Sequence, residues 1–212
     1  MCSKKWGEII YEHDQSLAMS IYTNAFGKHD SIRFNEYKTS DLKVNASAVY
    51  PYDVVKTLRN GDKVLAEKQW NALPNYMKND HELILPVCDT SGSMATPAGS
   101  NQNVLCLDVC ISLGLYISER NVGKFKDAFI TFSSKPELQY LNGGLYDRFI
   151  QLRKSNWGMN TNLESVFNLI LEQATKFNLA ETEMPTMILI MSDMEFDDAT
   201  DDTNSGMDMI KS

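Results

Sequence analysis

The chain has 212 residues, 43% hydrophobic and 23% charged, with 20 Lys and Arg against 28 Asp and Glu for a formal net charge of −8. That length can bury one sizeable core and a small second module, while the acidic balance excludes a broad electrostatic footprint for nucleic acid, which needs Lys and Arg against phosphates. Apolar stretches stop short of the roughly 20 residues that span a bilayer, and the start Met1-Cys2-Ser3-Lys4-Lys5-Trp6-Gly7-Glu8 lacks an apolar signal-peptide core, so the expected address is cytoplasmic or nuclear, with no membrane partner.

Residues 1–80 read as a mostly helical N-terminal segment. Trp6, Ile9, Ile10, His13, Leu17, Ile21 and Tyr22 fall near one helical face, with Gly27 placed to end the helix. Residues 28–45 are polar and weakly patterned, which predicts loop or irregular structure. Pro51 is placed to open a short helix through Leu58, stopped by Gly61, and Asp62 to cap another through Leu73, stopped by Pro74. Over 81–212 the pattern becomes strand and helix in alternation, the signature of an α/β sheet with parallel strands. The expected elements are a buried strand at 83–88, a helix at 104–118, a strand at 128–132, an edge strand at 137–141, helices at 145–152 and 163–174, and a central strand at 187–191. The four cysteines suit a reducing compartment. Cys88 lies in the first strand and Cys106 and Cys110 one helical turn apart, so core packing accounts for them better than metal binding.

The chemistry concentrates where the first strand ends. Asp89-Thr90-Ser91-Gly92-Ser93 follows directly on the apolar run, so one loop carries a carboxylate and two alternating hydroxyls, the oxygen donors a small hard cation requires. Ligands of such sheets bind beyond the carboxyl ends of the strands. Two further segments arrive there: Trp157-Gly158-Met159-Asn160-Thr161-Asn162 ahead of a helix, and Ser192-Asp193-Met194-Glu195 past a strand. Asp89, Ser91, Ser93, Thr161 and Asp193 thus form a candidate metal set of two carboxylates and three hydroxyls from three loops. Hard donors of this kind suit Mg2+ or Mn2+ and disfavour soft metals. Two carboxylates leave a divalent site near neutral, so a coordination position left to solvent can accept an acidic group from a partner.

These five positions resemble the metal-ion-dependent adhesion site of von Willebrand factor A domains, whose pattern is Asp-x-Ser-x-Ser, a Thr after a Gly-bearing loop, and an Asp after a strand. More narrowly, Asp89-Thr90-Ser91-Gly92-Ser93-Met94, Trp157-Gly158-Met159-Asn160-Thr161 and Ser192-Asp193-Met194-Glu195-Phe196-Asp197 resemble an uncharacterised family of plants and large DNA viruses. That family is related to the C-terminal half of Ro (TROVE) ribonucleoproteins, and the likeness runs over about 70–199. The resemblance implies a Rossmann-like A-type parallel sheet of strand order 3-2-1-4-5-6, C-terminally truncated within 81–212. It implies a non-enzymatic, metal-dependent protein-interaction module, in a ribonucleoprotein or viral assembly, whose partner completes the metal shell with an acidic group. A sheet stopping early would leave Met187 to Met191 at an open edge despite apolar composition on both faces. Its cover would be part of residues 1–80, a second copy of the chain, or a separate polypeptide. RNA is a weaker implication, because in Ro proteins a ring of helical repeats holds most of it and residues 1–80 offer at most a remnant.

Plainer readings compete at each feature. Ser91-Gly92-Ser93 could be a helix-capping turn, although Thr161 and Asp193 match the pattern independently. Asp197, Asp198, Asp201 and Asp202 miss the EF-hand spacing and read as a solvated acidic loop. A metal-dependent phosphohydrolase or phosphotransferase is the alternative enzymatic reading, with Asp89 as nucleophile. Against it, Ser91 stands where such phosphatases carry a second Asp, and no Lys or Arg lies near the loops in sequence to clamp a phosphoryl group. An RNA-binding adaptor using Arg33, Lys38, Lys43, Lys56 and Arg59 rests on family analogy alone.

Overall fold

Buried side chains gather around separate centres, and the chain divides into one unit of Met1–Tyr76 with Gly144–Tyr146 and another of Met77–Gly143 with Asp147–Ser212. The computed structural model describes residues 5–13, 16–42, 44–46, 48–77, 82–99, 101–131, 136–155 and 163–193.

In the first unit a 3-10 turn at Trp6–Glu8 precedes helices α1 (Ser16–His29), α2 (Ser31–Thr39), α3 (Pro51–Arg59) and α4 (Lys63–Ala72). The punctuation of the last two follows the residues expected to set it. Pro51 opens α3, where its missing N–H costs nothing, and Gly61 takes the left-handed φ of 95° that lets the chain turn. Asp62 caps α4 by accepting from the Leu65 N–H at 3.1 Å. Tyr11, Met19, Phe26, Phe34, Tyr37 and Leu65 form the core.

Three expectations for this unit fail. Residues 6–13 do not continue the helix: Ile9 is extended, and its carbonyl accepts from Arg33 Nη2 while the Trp6 carbonyl accepts from Arg33 Nη1 at 3.2 Å. A distant guanidinium thus satisfies acceptors that a helix would have used. Residues 31–39, expected to be irregular, form α2 instead. Phe34 and Tyr37, three residues apart, bury one stripe while the polar majority faces outward. Gly27 does not end α1 either; the helix runs on to His29.

The second unit is mixed α/β. In chain order it contains β1 (Ile84–Cys88), a 3-10 turn at Gly92–Ala95, β2 (Pro97–Ala98), β3 (Asn101–Leu105), α5 (Cys106–Arg120), β4 (Ala128–Thr131), β5 (Leu138–Tyr140), α6 (Leu145–Lys154), α7 (Leu163–Lys176) and β6 (Met187–Met191). Among the described residues the main sheet has the order β5-β4-β1-β6, and β2 and β3 form a separate hairpin. β1 runs parallel to β4 and β6, whereas β5 runs antiparallel to β4. The parallel-sheet expectation is corrected at this edge strand, since the six residues between β4 and β5 are too few for a crossover connection.

β1 occupies the interior of this sheet. Leu85 and Val87 join Val166 and Ile170 of α7 in one buried cluster, whereas Cys88 meets Gly114 of α5. Alternate residues of β1 therefore point to helices on opposite faces. Pro86 sits inside the strand without an N–H to donate, and the ladder to β4 is formed only from Val87 onward. β6 pairs along its whole length with β1, Ile84 to Cys88 matching Met187 to Met191. It ends the sheet among the described residues; Met187 is exposed and the rest half-buried, against full burial along β4. No described helix is long and apolar enough to cross a membrane.

Candidate functional site

The site begins with the register of two parallel strands. Cys88 lies opposite Met191, and the ladder goes one step further as the Asp89 N–H donates to the Met191 carbonyl at 3.0 Å. That step carries the residues beyond both strands, Asp89 and Ser192, to the same carboxyl-terminal edge. The Ser192 hydroxyl donates to Asp89 Oδ2 at 2.7 Å. The other carboxylate oxygen, Oδ1, accepts the Ser91 N–H at 2.9 Å, closing an Asx turn that folds the loop back over the strand end.

Three of the five expected ligands are thereby described in one cluster. Asp89 is 1% exposed, Ser91 and Ser93 are half-buried, and their hydroxyl oxygens stand 2.9 Å apart. Asp193 is half-buried and carried by β6 to this end of the sheet, one residue beyond the serine that holds Asp89. Thr161 lies outside the described residues, as do the acidic positions 197–202 and Trp157. Ser91 is positioned as the cap of the 3-10 turn Gly92–Ala95, yet its side chain makes no capping bond and turns to Ser93 instead. Thr90 beside it is 1% exposed, and its hydroxyl has no partner among the described residues.

Sequence reasoning placed Ser192 in a motif without giving it a role, and assigned Cys110 to plain packing. Ser192 holds one oxygen of Asp89, and the signal was positional: both residues directly follow strands, but only the 88-to-191 register makes them neighbours. The Cys110 thiol, buried on α5, points at the Asp89 carbonyl at 3.4 Å and the Met191 carbonyl at 3.7 Å. It spans the two strand ends from below. Contact with the Cys110 thiol, then burial, pushes the Cys88 thiol well above its ordinary range. Both sulfurs are buried, and Cys106 is half-exposed at the start of α5.

The donor set admits a small hard cation. Adjacent oxygens in an octahedral shell with bonds of about 2.0–2.1 Å lie about 2.8–3.0 Å apart, so Ser91 and Ser93 hold a spacing that could serve a shared ion without rearranging. A hydroxyl–hydroxyl hydrogen bond has the same length, so the spacing permits the ion without demanding it. Among the described residues each Asp89 oxygen accepts one hydrogen bond, from the Ser91 N–H at Oδ1 and from the Ser192 hydroxyl at Oδ2. Among the described residues no three His, Cys, Asp or Glu side chains come together as a metal-holding group. A cation here would rest on hydroxyls and at most two carboxylates, which is the chemistry of Mg2+ rather than of a soft metal.

No solved structure matches the chain. It is similar to an uncharacterized protein, L728, of Acanthamoeba polyphaga mimivirus, with 31% identity over 159 residues, covering 73% of this chain and 26% of that protein. The chain thus spans about a quarter of that relative's length. Residues 1–83 match a second family, described as a domain of unknown function (DUF2828). Residues 84–211, more than half of the chain and the whole of the site just described, match the family described as a domain of unknown function (DUF7788), and to that family the chain belongs.

Proposed function

We propose that the second unit is a von Willebrand A-type interaction module, related to the C-terminal half of Ro ribonucleoproteins, that holds Mg2+ or Mn2+ and through it binds an acidic group of a protein partner. Asp89, Ser91 and Ser93 would supply ligands from the loop after β1, with Thr161 and Asp193 from two further loops. The observation that carries this reading is the Asp89–Ser91–Ser93 cluster itself, a buried carboxylate beside two hydroxyl oxygens 2.9 Å apart at the carboxyl end of an interior parallel strand. The sheet supports it as well. Renumbered for the main sheet alone, β5-β4-β1-β6 reads 3-2-1-4, the opening places of the 3-2-1-4-5-6 order the resemblance implies. When bound, the ion would supply a Lewis-acidic position for the partner's carboxylate. The protein's part is to fix the donors: Ser192 and the Ser91 N–H orient the Asp89 carboxylate, and the β1–β6 ladder sets where the loops begin.

The test is titration of the full chain with Mn2+, followed by the electron paramagnetic resonance of free ion, and with Mg2+ by calorimetry. One saturable site that Asp89→Ala weakens at least tenfold, with the fold intact by circular dichroism, is the expected result. A wild-type chain with no site at millimolar metal, or an Asp89→Ala chain that binds as well as wild type, overturns the reading.

A further inference from the structure

The first unit carries a cleft of about 320 Å3 that is independent of the metal reading. One wall is the face of α2 that repeats at Arg33, Glu36 and Tyr37; the other is the non-helical stretch around Ile10 and Glu12, with Leu42 closing one end. Its volume lies at the small end of ligand-sized clefts. Ile10 is 55% exposed and Leu42 43%, so two large aliphatic side chains stand at its lip facing water.

Charge decides what fits. Arg33 is engaged: it donates to the Trp6 and Ile9 carbonyls, pairs with Asp30 at 3.1 Å and lies over the Tyr11 ring. Glu12 and Glu36 are both exposed, and neither carboxylate has an ion pair or hydrogen bond among the described residues. The cleft thus offers an apolar floor between two exposed carboxylates that make no ion pair among the described residues, while its neighbouring cations are already engaged, Arg33 with backbone and Asp30 and Lys68 with the Tyr37 and Ser40 carbonyls. A segment carrying an apolar anchor flanked by Lys or Arg matches it on both counts, burying Ile10 and Leu42 while pairing the glutamates.

We infer that the cleft between α2 and the 9–12 stretch is a docking groove for a basic, apolar-anchored peptide segment of a protein partner. The probes are three fluorescein-labelled peptides: Lys-Lys-Leu-Phe-Lys-Lys, the same with Ser-Ser at the centre, and the same with Glu flanks. Fluorescence polarisation is read with the full chain. The Leu-Phe peptide with Lys flanks should bind at least tenfold tighter than either control. Glu12→Lys with Glu36→Lys should abolish that preference, Ile10→Ser should weaken it at least threefold, and Glu181→Lys in the second unit should leave it unchanged. All these positions are exposed, and circular dichroism checks each fold. No binding, equal binding of the Ser-Ser peptide, or an equal loss with Glu181→Lys overturns the inference; the last two would show only attraction to an acidic chain.

Discussion

Gly114 stands in the middle of α5, where two forces oppose each other and only the structure says which wins. A mid-helix glycine costs about 1 kcal/mol relative to alanine, so helix propensity alone predicts that Gly114→Ala stabilises the protein by that much. Packing predicts the reverse. A Cβ at this position would lie 2.6 Å from Cys88 Sγ and 3.1 Å from Leu152 Cδ1. Cys88 and Leu152 are both fully buried, and the sulfur is already in contact with Cys110. Overpacking a filled core costs about 1–3 kcal/mol, and a sulfur contact this short belongs near the upper end. Subtracting the helical gain leaves a net loss of about 2 kcal/mol, or about 4–8 °C in Tm for a chain of this size. The assay is urea unfolding of wild type, Gly114→Ala, Cys88→Ala and the double variant. Removing the sulfur makes room for the new methyl and leaves the helical gain, so the double variant should be more stable than the sum of the single losses by about 3 kcal/mol. A Gly114→Ala chain as stable as wild type, or losses that simply add, would refute the argument that Cys88 is wedged against α5.

Ser192→Ala removes the hydroxyl that donates to the buried Asp89 carboxylate at 2.7 Å; a charged acceptor losing a donor should cost about 1–3 kcal/mol in urea unfolding, and a change below a few tenths would mean the bond is not made in solution. Asp53 is 8% exposed and accepts the Tyr50 N–H at 3.0 Å at the start of α3, and burial raises its carboxyl above the ordinary range. A raised acid binds its proton more tightly folded than unfolded, so its contribution to stability declines as pH climbs from the ordinary carboxylate range through the raised value. Asp53→Asn keeps an acceptor and loses the charge, so its stability relative to wild type should improve between about pH 4 and pH 7. A relative stability that instead falls as pH rises would show that the hydrogen bond outweighs burial.

How much was legible beforehand differs between the two units. Pro51, Gly61 and Asp62 punctuate α3 and α4 as read, because caps, missing donors and left-handed turns act within a few residues of their cause. The strands at Ile84–Cys88, Ala128–Thr131 and Met187–Met191 announce themselves as short apolar runs between turn residues. The break after Trp6–Glu8 was not legible, since the group that captures the Trp6 and Ile9 carbonyls is Arg33, 27 and 24 residues away. Nor was α2, whose polar sequence hides a two-residue anchor that matters only once Tyr11, Met19 and Phe26 form a surface to receive it.

The site divides in the same way. That an Asp and two serines follow a buried strand, and that a Ser-Asp pair follows another, could be read directly, because strand ends and loop chemistry are local. That β1 and β6 are parallel neighbours in the register placing Asp89 beside Ser192 could not, nor that Cys110 spans their ends from α5. Register is chosen by which apolar faces bury together across about a hundred intervening residues. Local chemistry thus determined which groups are available, and tertiary packing decided which of them meet.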